Sequence, residues 1–195
     1  MTTDPTFWLI ARASGLTAFG LLTASVLAGL LLTGRPFGRA VAPAAVAEIH
    51  RVLAFLGLAA TGLHGVALVL DRAVEIPLHA LVIPGLVPYR TLWSSLGVVA
   101  GLVMGLVTAS WYVRSRIGAA AWRRIHKASF AAFLLAAAHG VWAGTDTARP
   151  WATPVYVGAL GLVATALAWR VLTRSGRSRR RSGSRAAAPA APPAA

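Results

Sequence analysis

The chain's candidates for chemistry are its histidines. Four of the five lie in long apolar stretches, His50 and His64 in one and His126 and His139 in another. There is no cysteine, which excludes disulfides, thiolate-held iron–sulfur clusters and thiol nucleophiles; redox work would have to come from a bound cofactor. An imidazole inside an apolar helix needs a partner: a neighbouring carbonyl, a proton relay or a metal. At 1.5 Å per residue, His50 and His64 stand roughly 21 Å apart along a helix, and His126 and His139 roughly 20 Å. One apolar stretch separates the two that carry histidines, so those two run in the same direction. His50 and His126 each fall about two turns from one membrane face, and His64 and His139 about two turns from the other. The four rings therefore form two layers, with one histidine from each helix in each layer.

The spacing of the layers forbids gathering all four rings around one zinc or copper ion, and no carboxylate falls beside them in the membrane. Haem is broad, flat and apolar apart from its propionates. Held between two helices, it needs an axial ligand from each at equal depth, and this pattern supplies that twice. An iron with two axial histidines has no open position, which favours electron transfer over oxygen activation. Fourteen residues at about 100° each bring His64 to within roughly 40° of His50. Gly57 lies halfway along that face, where a missing side chain would let a macrocycle approach. Thirteen residues put His139 roughly 140° from His126 on a straight helix. Helix tilt, a local change of winding, or haem on different flanks has to absorb that angle.

The elements that must position these rings are membrane spans. Of the 195 residues, 57% are hydrophobic and 12% charged, against about 25% charged in soluble domains. Five apolar runs reach spanning length: 7–33, 44–70, 92–113, 121–145 and 152–173. The expected fold is all-α, an integral membrane bundle of five transmembrane helices over residues 1–173. Residues 174–195, Arg/Ser-rich and then Ala/Pro-rich, are expected to be a disordered tail. The connection 71–90 holds Pro77, Pro84 and Pro88 and is too broken to span, so an interfacial or re-entrant piece is expected there. The N-terminus carries an acid and no basic region before its apolar run, so that run is read as a retained helix.

The net charge of +14 reflects topology rather than nucleic-acid binding. Fifteen of the nineteen Lys and Arg, among them Arg35, Arg39, Arg51, Arg123, Arg124, Lys127 and the tail arginines, fall on one side. That bias places the N-terminus outside and the C-terminus in the cytoplasm of a multi-pass cell-membrane protein. Tryptophans cluster near helix ends, as an aromatic belt would. The tail arginines suit anionic membrane lipid.

The segments HRVLAFLGLAATGLH (50–64) and WRRIHKASFAAFLLAAAHG (122–140) resemble the ferric reductase-like transmembrane domain family. That family includes the membrane portions of ferric reductases and NADPH oxidases and the haem-binding subunit of the methionine sulfoxide reductase system. ARASG near the start and LVPYRTLW before the third run look familial too, and the likeness covers about residues 7–173. It implies haem b, one or two per chain, with iron ligated by His50 with His126 and by His64 with His139. Ferric reductases carry flavin and nicotinamide domains that this sequence lacks, and its Gly-x-x-Gly pieces lie inside apolar helices. Electrons are therefore expected from quinol, with quinone a candidate second cofactor, or from a partner reductase or flavoprotein that brings FMN or FAD.

Further residues follow from the same picture. Arg51, Arg123, Arg124 and Lys127 surround the cytoplasmic layer, where haem propionates would want cations. Arg12 lies within the outer end of the first run, where an unpaired charge is costly, and is assigned to the outer haem. Its rival role is snorkelling to the surface. Gly97, Gly101 and Gly105 give the third run a small face, for close packing or for passage along a haem edge. His79 reads as a solvated loop residue, with docking of a quinone or acceptor as the sharper alternative. The competing function is a non-redox membrane scaffold or transporter whose histidines pack or relay ions.

Overall fold

In the computed structural model, the described residues are 5–34 and 42–186, with side chains to Leu32 and from Ala42 to Thr173. Arg35, Arg39 and residues 187–195 lie outside them, as do the side chains of the tail arginines. Every regular element among the described residues is helical: α1 (Thr6–Gly34), α2 (Pro43–Leu70), α3 (Thr91–Ser110), α4 (Arg114–His126), α5 (Ala128–Ala143) and α6 (Ala152–Ala186), with a short 3₁₀ turn at Leu78–Leu81.

Among the described residues, four helical stretches are long and apolar enough to cross a membrane: Thr6–Leu32, Pro43–Leu70, Thr91–Ser110 and Ala152–Thr173. The expected span at 121–145 is instead divided at Lys127 into the end of α4 and the 16-residue α5. Around the break the bonds tighten, with Lys127 N–H donating to the Arg124 carbonyl at 3.2 Å and Phe130 N–H to the Lys127 carbonyl at 3.2 Å. Three-residue turns rotate by about 120° per residue instead of about 100°. The overwinding therefore carries His139 toward the side of His126, a local change of winding being one of the three ways the sequence left open to absorb that angle. Thr147 Oγ1 ends α5 by donating to the Val141 carbonyl at 2.6 Å, satisfying one of the carbonyls a helix end leaves open.

α1 packs along α2 and also touches α5 and α6, while α3 packs along α5. α2 and α5, which carry three of the four histidines, make no extensive contact of their own. They face one another across a space walled by α1 and α3. The core joins Phe19, Leu22 and Val26 of α1 to Phe133 and Ala137 of α5 and to Tyr156 and Ala159 of α6. Phe133, 1% exposed, stacks on Phe19 with ring centres 5.9 Å apart. In sequence it stands between His126 of α4 and His139 of α5. Elsewhere the helices expose large apolar residues such as Phe55 and Leu106. A helix surface of that kind matches hydrocarbon, not water.

The connection 71–90 lies as a strap across the ends of α2 and α3. Its Ile76, Ala80 and Val87 are buried against Leu68, Val69 and Val98. Arg90 closes the strap in a left-handed conformation (φ 42°) and donates from Nη1 to the Trp142 carbonyl at 2.6 Å. Trp93 stacks on Trp142 at 4.7 Å, joining the same ends of α3 and α5.

Candidate functional site

The four histidines meet in two pairs. His50 of α2 faces His126 at the end of α4, with ring centres 5.8 Å apart and planes at 80°. His64 of α2 faces His139 of α5 at 6.2 Å and 75°. An imidazole–metal bond is roughly 2 Å, and a ring nitrogen lies roughly 1 Å from its ring centre, so two imidazoles on opposite sides of one metal have centres about 6 Å apart. Both pairs stand at that separation. Among the described residues, no group of three or more His, Asp or Glu gathers to hold a bare ion.

Three of the rings are pinned in the same way. Nδ1 of His64 lies 2.7 Å from the Ala11 carbonyl, Nδ1 of His50 2.7 Å from the Ser25 carbonyl, and Nδ1 of His139 3.0 Å from the Trp93 carbonyl. A carbonyl only accepts, so Nδ1 carries the proton and donates. Nε2 is left with its lone pair, the tautomer that a metal ligand requires, and the carbonyl fixes the ring's orientation. Ser25 Oγ adds a second contact to His50 Nδ1 at 3.1 Å.

A glycine follows each of these carbonyls by four residues: Gly15 after Ala11, Gly29 after Ser25, Gly97 after Trp93. Residues four apart share a helix face, so the imidazole that reaches the carbonyl must lie over the glycine. A Cβ on Gly15 would stand 2.9 Å from His64 Nδ1, one on Gly29 3.3 Å from His50 Cε1, and one on Gly97 2.6 Å from His139 Nδ1. The device therefore has three parts: a carbonyl acceptor, a missing side chain one turn on, and a histidine from the neighbouring helix. Gly101 meets Thr61 of α2 at 3.5 Å, and nothing lies within 4 Å of the Gly105 position. Gly57 turns toward Leu21 and Leu22 of α1, at 3.5 and 3.7 Å, and serves the α1–α2 contact rather than a space beside the histidines.

A cavity of about 390 Å³ adjoins the His64–His139 pair, with Gly15, Gly97, Arg12, Asp146 and Tyr156 in its wall and the 71–90 strap over it. Its volume lies in the range of small-molecule and cofactor sites, about 300–1,000 Å³. Arg12 is not free to serve as a lone cation there. It forms a two-pronged ion pair with Asp146, Nε to Oδ2 at 2.9 Å and Nη2 to Oδ1, and lies over the Trp8 ring at 4.2 Å. Asp146, 9% exposed, is the partner that sequence reasoning missed.

The other pair is built differently. His126 lies against Trp122, ring centres 5.1 Å apart and planes at 25°. The cations expected around it lie at the surface: Arg123, Arg124 and Lys127 are exposed, and Arg51 pairs with Glu48. His79 is exposed in the 3₁₀ turn of the strap. Comparison with protein-family models, curated proteins and solved structures found no match.

Proposed function

We propose that the chain is a membrane cytochrome b, similar in plan to the ferric reductase-like domains, that passes electrons across a bilayer through two bis-histidine haems. The observation that carries this reading is the pairing of four imidazoles at about 6 Å, three with Nδ1 committed to a carbonyl and Nε2 left to ligate. In this reading α1, α2, α3, α5 and α6 all cross, the N-terminus is outside and the C-terminus cytoplasmic.

Haem b bound at each pair supplies a one-electron carrier that cycles between ferrous and ferric iron. The protein's own parts do the rest. His50 with His126, and His64 with His139, would supply the axial nitrogens. Backbone carbonyls of α1 and α3 hold three of those rings in register. Gly15, Gly29 and Gly97 admit the rings, and the strap lies over the cavity beside the outer pair. The Arg12–Asp146 pair ties α1 to the α5–α6 connection at the rim of the outer cavity. Electrons would arrive from quinol or a partner reductase and leave to an outer-face acceptor.

The contrary reading is a scaffold or ion-relay protein, favoured by the same carbonyl bonds taken as sufficient satisfaction for packed histidines. A visible spectrum of purified protein decides between them. The proposal expects a reducible low-spin b-type spectrum, and the scaffold expects a colourless protein.

A further inference from the structure

The pairing of His126 with Trp122 leaves one polar atom unexplained. Nε1 of Trp122 is buried, and among the described residues it is the one buried side-chain nitrogen or oxygen with no hydrogen-bond partner. A tryptophan N–H removed from water ordinarily finds an acceptor, and a buried orphan in a native protein asks for a cause. Trp122 stands one turn before His126 on α4, so both side chains share a face. Its ring is gripped on one side by His126 and at its edge by Trp111, whose centre is 5.6 Å away at 67°. Arg114 lies over the Trp111 ring at 3.6 Å. The indole is thus held by a stacked imidazole and an edge-on indole, with its donor given no protein acceptor although its ring lies against one member of the His50–His126 pair.

We propose that Trp122 donates this N–H to a carboxylate of the group held between His50 and His126, a propionate of the inner haem. The assignment rests on the function proposed above. It identifies a positioning residue: the indole fixes which way the macrocycle is turned about the axis between the two imidazoles. It also lowers the energy of added negative charge on the ring, because an N–H bonded to a carboxylate withdraws part of its charge. Arg123, Arg124 and Lys127 are exposed at the surface of α4 and the start of α5.

The test uses full-length protein carrying His139→Ala, so that only the inner pair can hold haem. Ultraviolet resonance Raman spectra report the hydrogen-bond state of the indole N–H, with and without haem, in protein that retains Trp122. The proposal expects an N–H that is unbonded before loading and bonded after it. Trp122→Phe keeps the stack on His126 but removes the donor. It should retain haem and its low-spin spectrum, shift the propionate bending mode, and lower the midpoint potential. If Trp122→Phe fails to load, the indole signal of the unsubstituted ring still decides. An indole already bonded in haem-free protein, as a lipid headgroup would make it, overturns the proposal, and so does one unmoved by loading. Either result in normally loaded protein leaves the histidine assignment standing; protein that takes up no haem at all overturns both.

Discussion

Gly97 of α3 and His139 of α5 occupy one another's space: a Cβ on the glycine would fall 2.6 Å from Nδ1 and 2.7 Å from Cγ of the ring. The contact exists because His139 reaches past Gly97 to the carbonyl of Trp93, one turn back on the same helix. The same relation holds between His64 and Gly15 and, more loosely, between His50 and Gly29. α2 and α5 are thus each registered, through their histidines, against a neighbour that carries none of the four.

Gly→Ala in a helix ordinarily stabilises by about 1 kcal/mol. At Gly97 the new methyl would force the ring off its carbonyl, so Gly97→Ala should lose the outer haem while keeping the inner one. Gly105→Ala, with nothing within 4 Å of the added carbon, should keep both and gain slightly in thermal stability. Gly29→Ala, at 3.3 Å, should fall between them, weakening inner haem retention without abolishing it. Haem per chain and melting temperature across these three variants check the order.

The histidine layers should separate in a redox titration. His64→Ala or His139→Ala is expected to remove one midpoint and abolish electron transfer across the membrane, leaving a residual spectrum from the inner pair. His50→Ala or His126→Ala should remove the other midpoint. Full transfer activity in both outer-layer variants would defeat the assignment.

The Arg12–Asp146 pair is partly buried, and losing one member leaves the other charge uncompensated. Breaking a fully buried pair costs roughly 3–5 kcal/mol, and with Arg12 partly exposed a loss on the order of 2 kcal/mol is expected for Asp146→Ala. The double variant Arg12→Ala with Asp146→Ala should recover part of that loss. Thermal melts of the four proteins in one detergent measure the coupling; strict additivity would show that the pair is incidental.

Ser25 touches His50 three times: its carbonyl and its hydroxyl both meet Nδ1, and the hydroxyl also donates to the His50 carbonyl at 3.3 Å. Ser25→Ala removes only the hydroxyl, so the carbonyl should hold the tautomer. Inner haem is expected to stay bound, with a stability loss of about 1 kcal/mol. Loss of the inner haem in this variant would show that the hydroxyl is the anchor.

The sequence already contained much of this. The paired spacing of His50, His64, His126 and His139 foretold which ring meets which, because helical rise converts numbering into depth. It did not foretell the break at Lys127, since nothing in RRIHKASF is a helix breaker by residue type. The break showed beforehand only as an angular mismatch between His126 and His139. Gly57 was misplaced because periodicity gives a residue's face but not which neighbour covers it; here α1 does. Gly97 stood out in the sequence as part of a small-residue face, yet its relation to the Trp93 carbonyl is a matter of helix pairing. Arg12 was legible as a charge in need of a partner, whereas Asp146 lies 134 positions away and was found only by folding. Trp122 passed as a belt residue, since burial of a single nitrogen leaves no trace in composition.

The most direct test of two facing imidazole pairs is the haem content of purified protein, read together with its reduced-minus-oxidised spectrum. Two haems per chain with low-spin, bis-histidine b-type bands, falling to one in His139→Ala, is the expected result. A colourless protein, or a haem content indifferent to all four histidines, would contradict it.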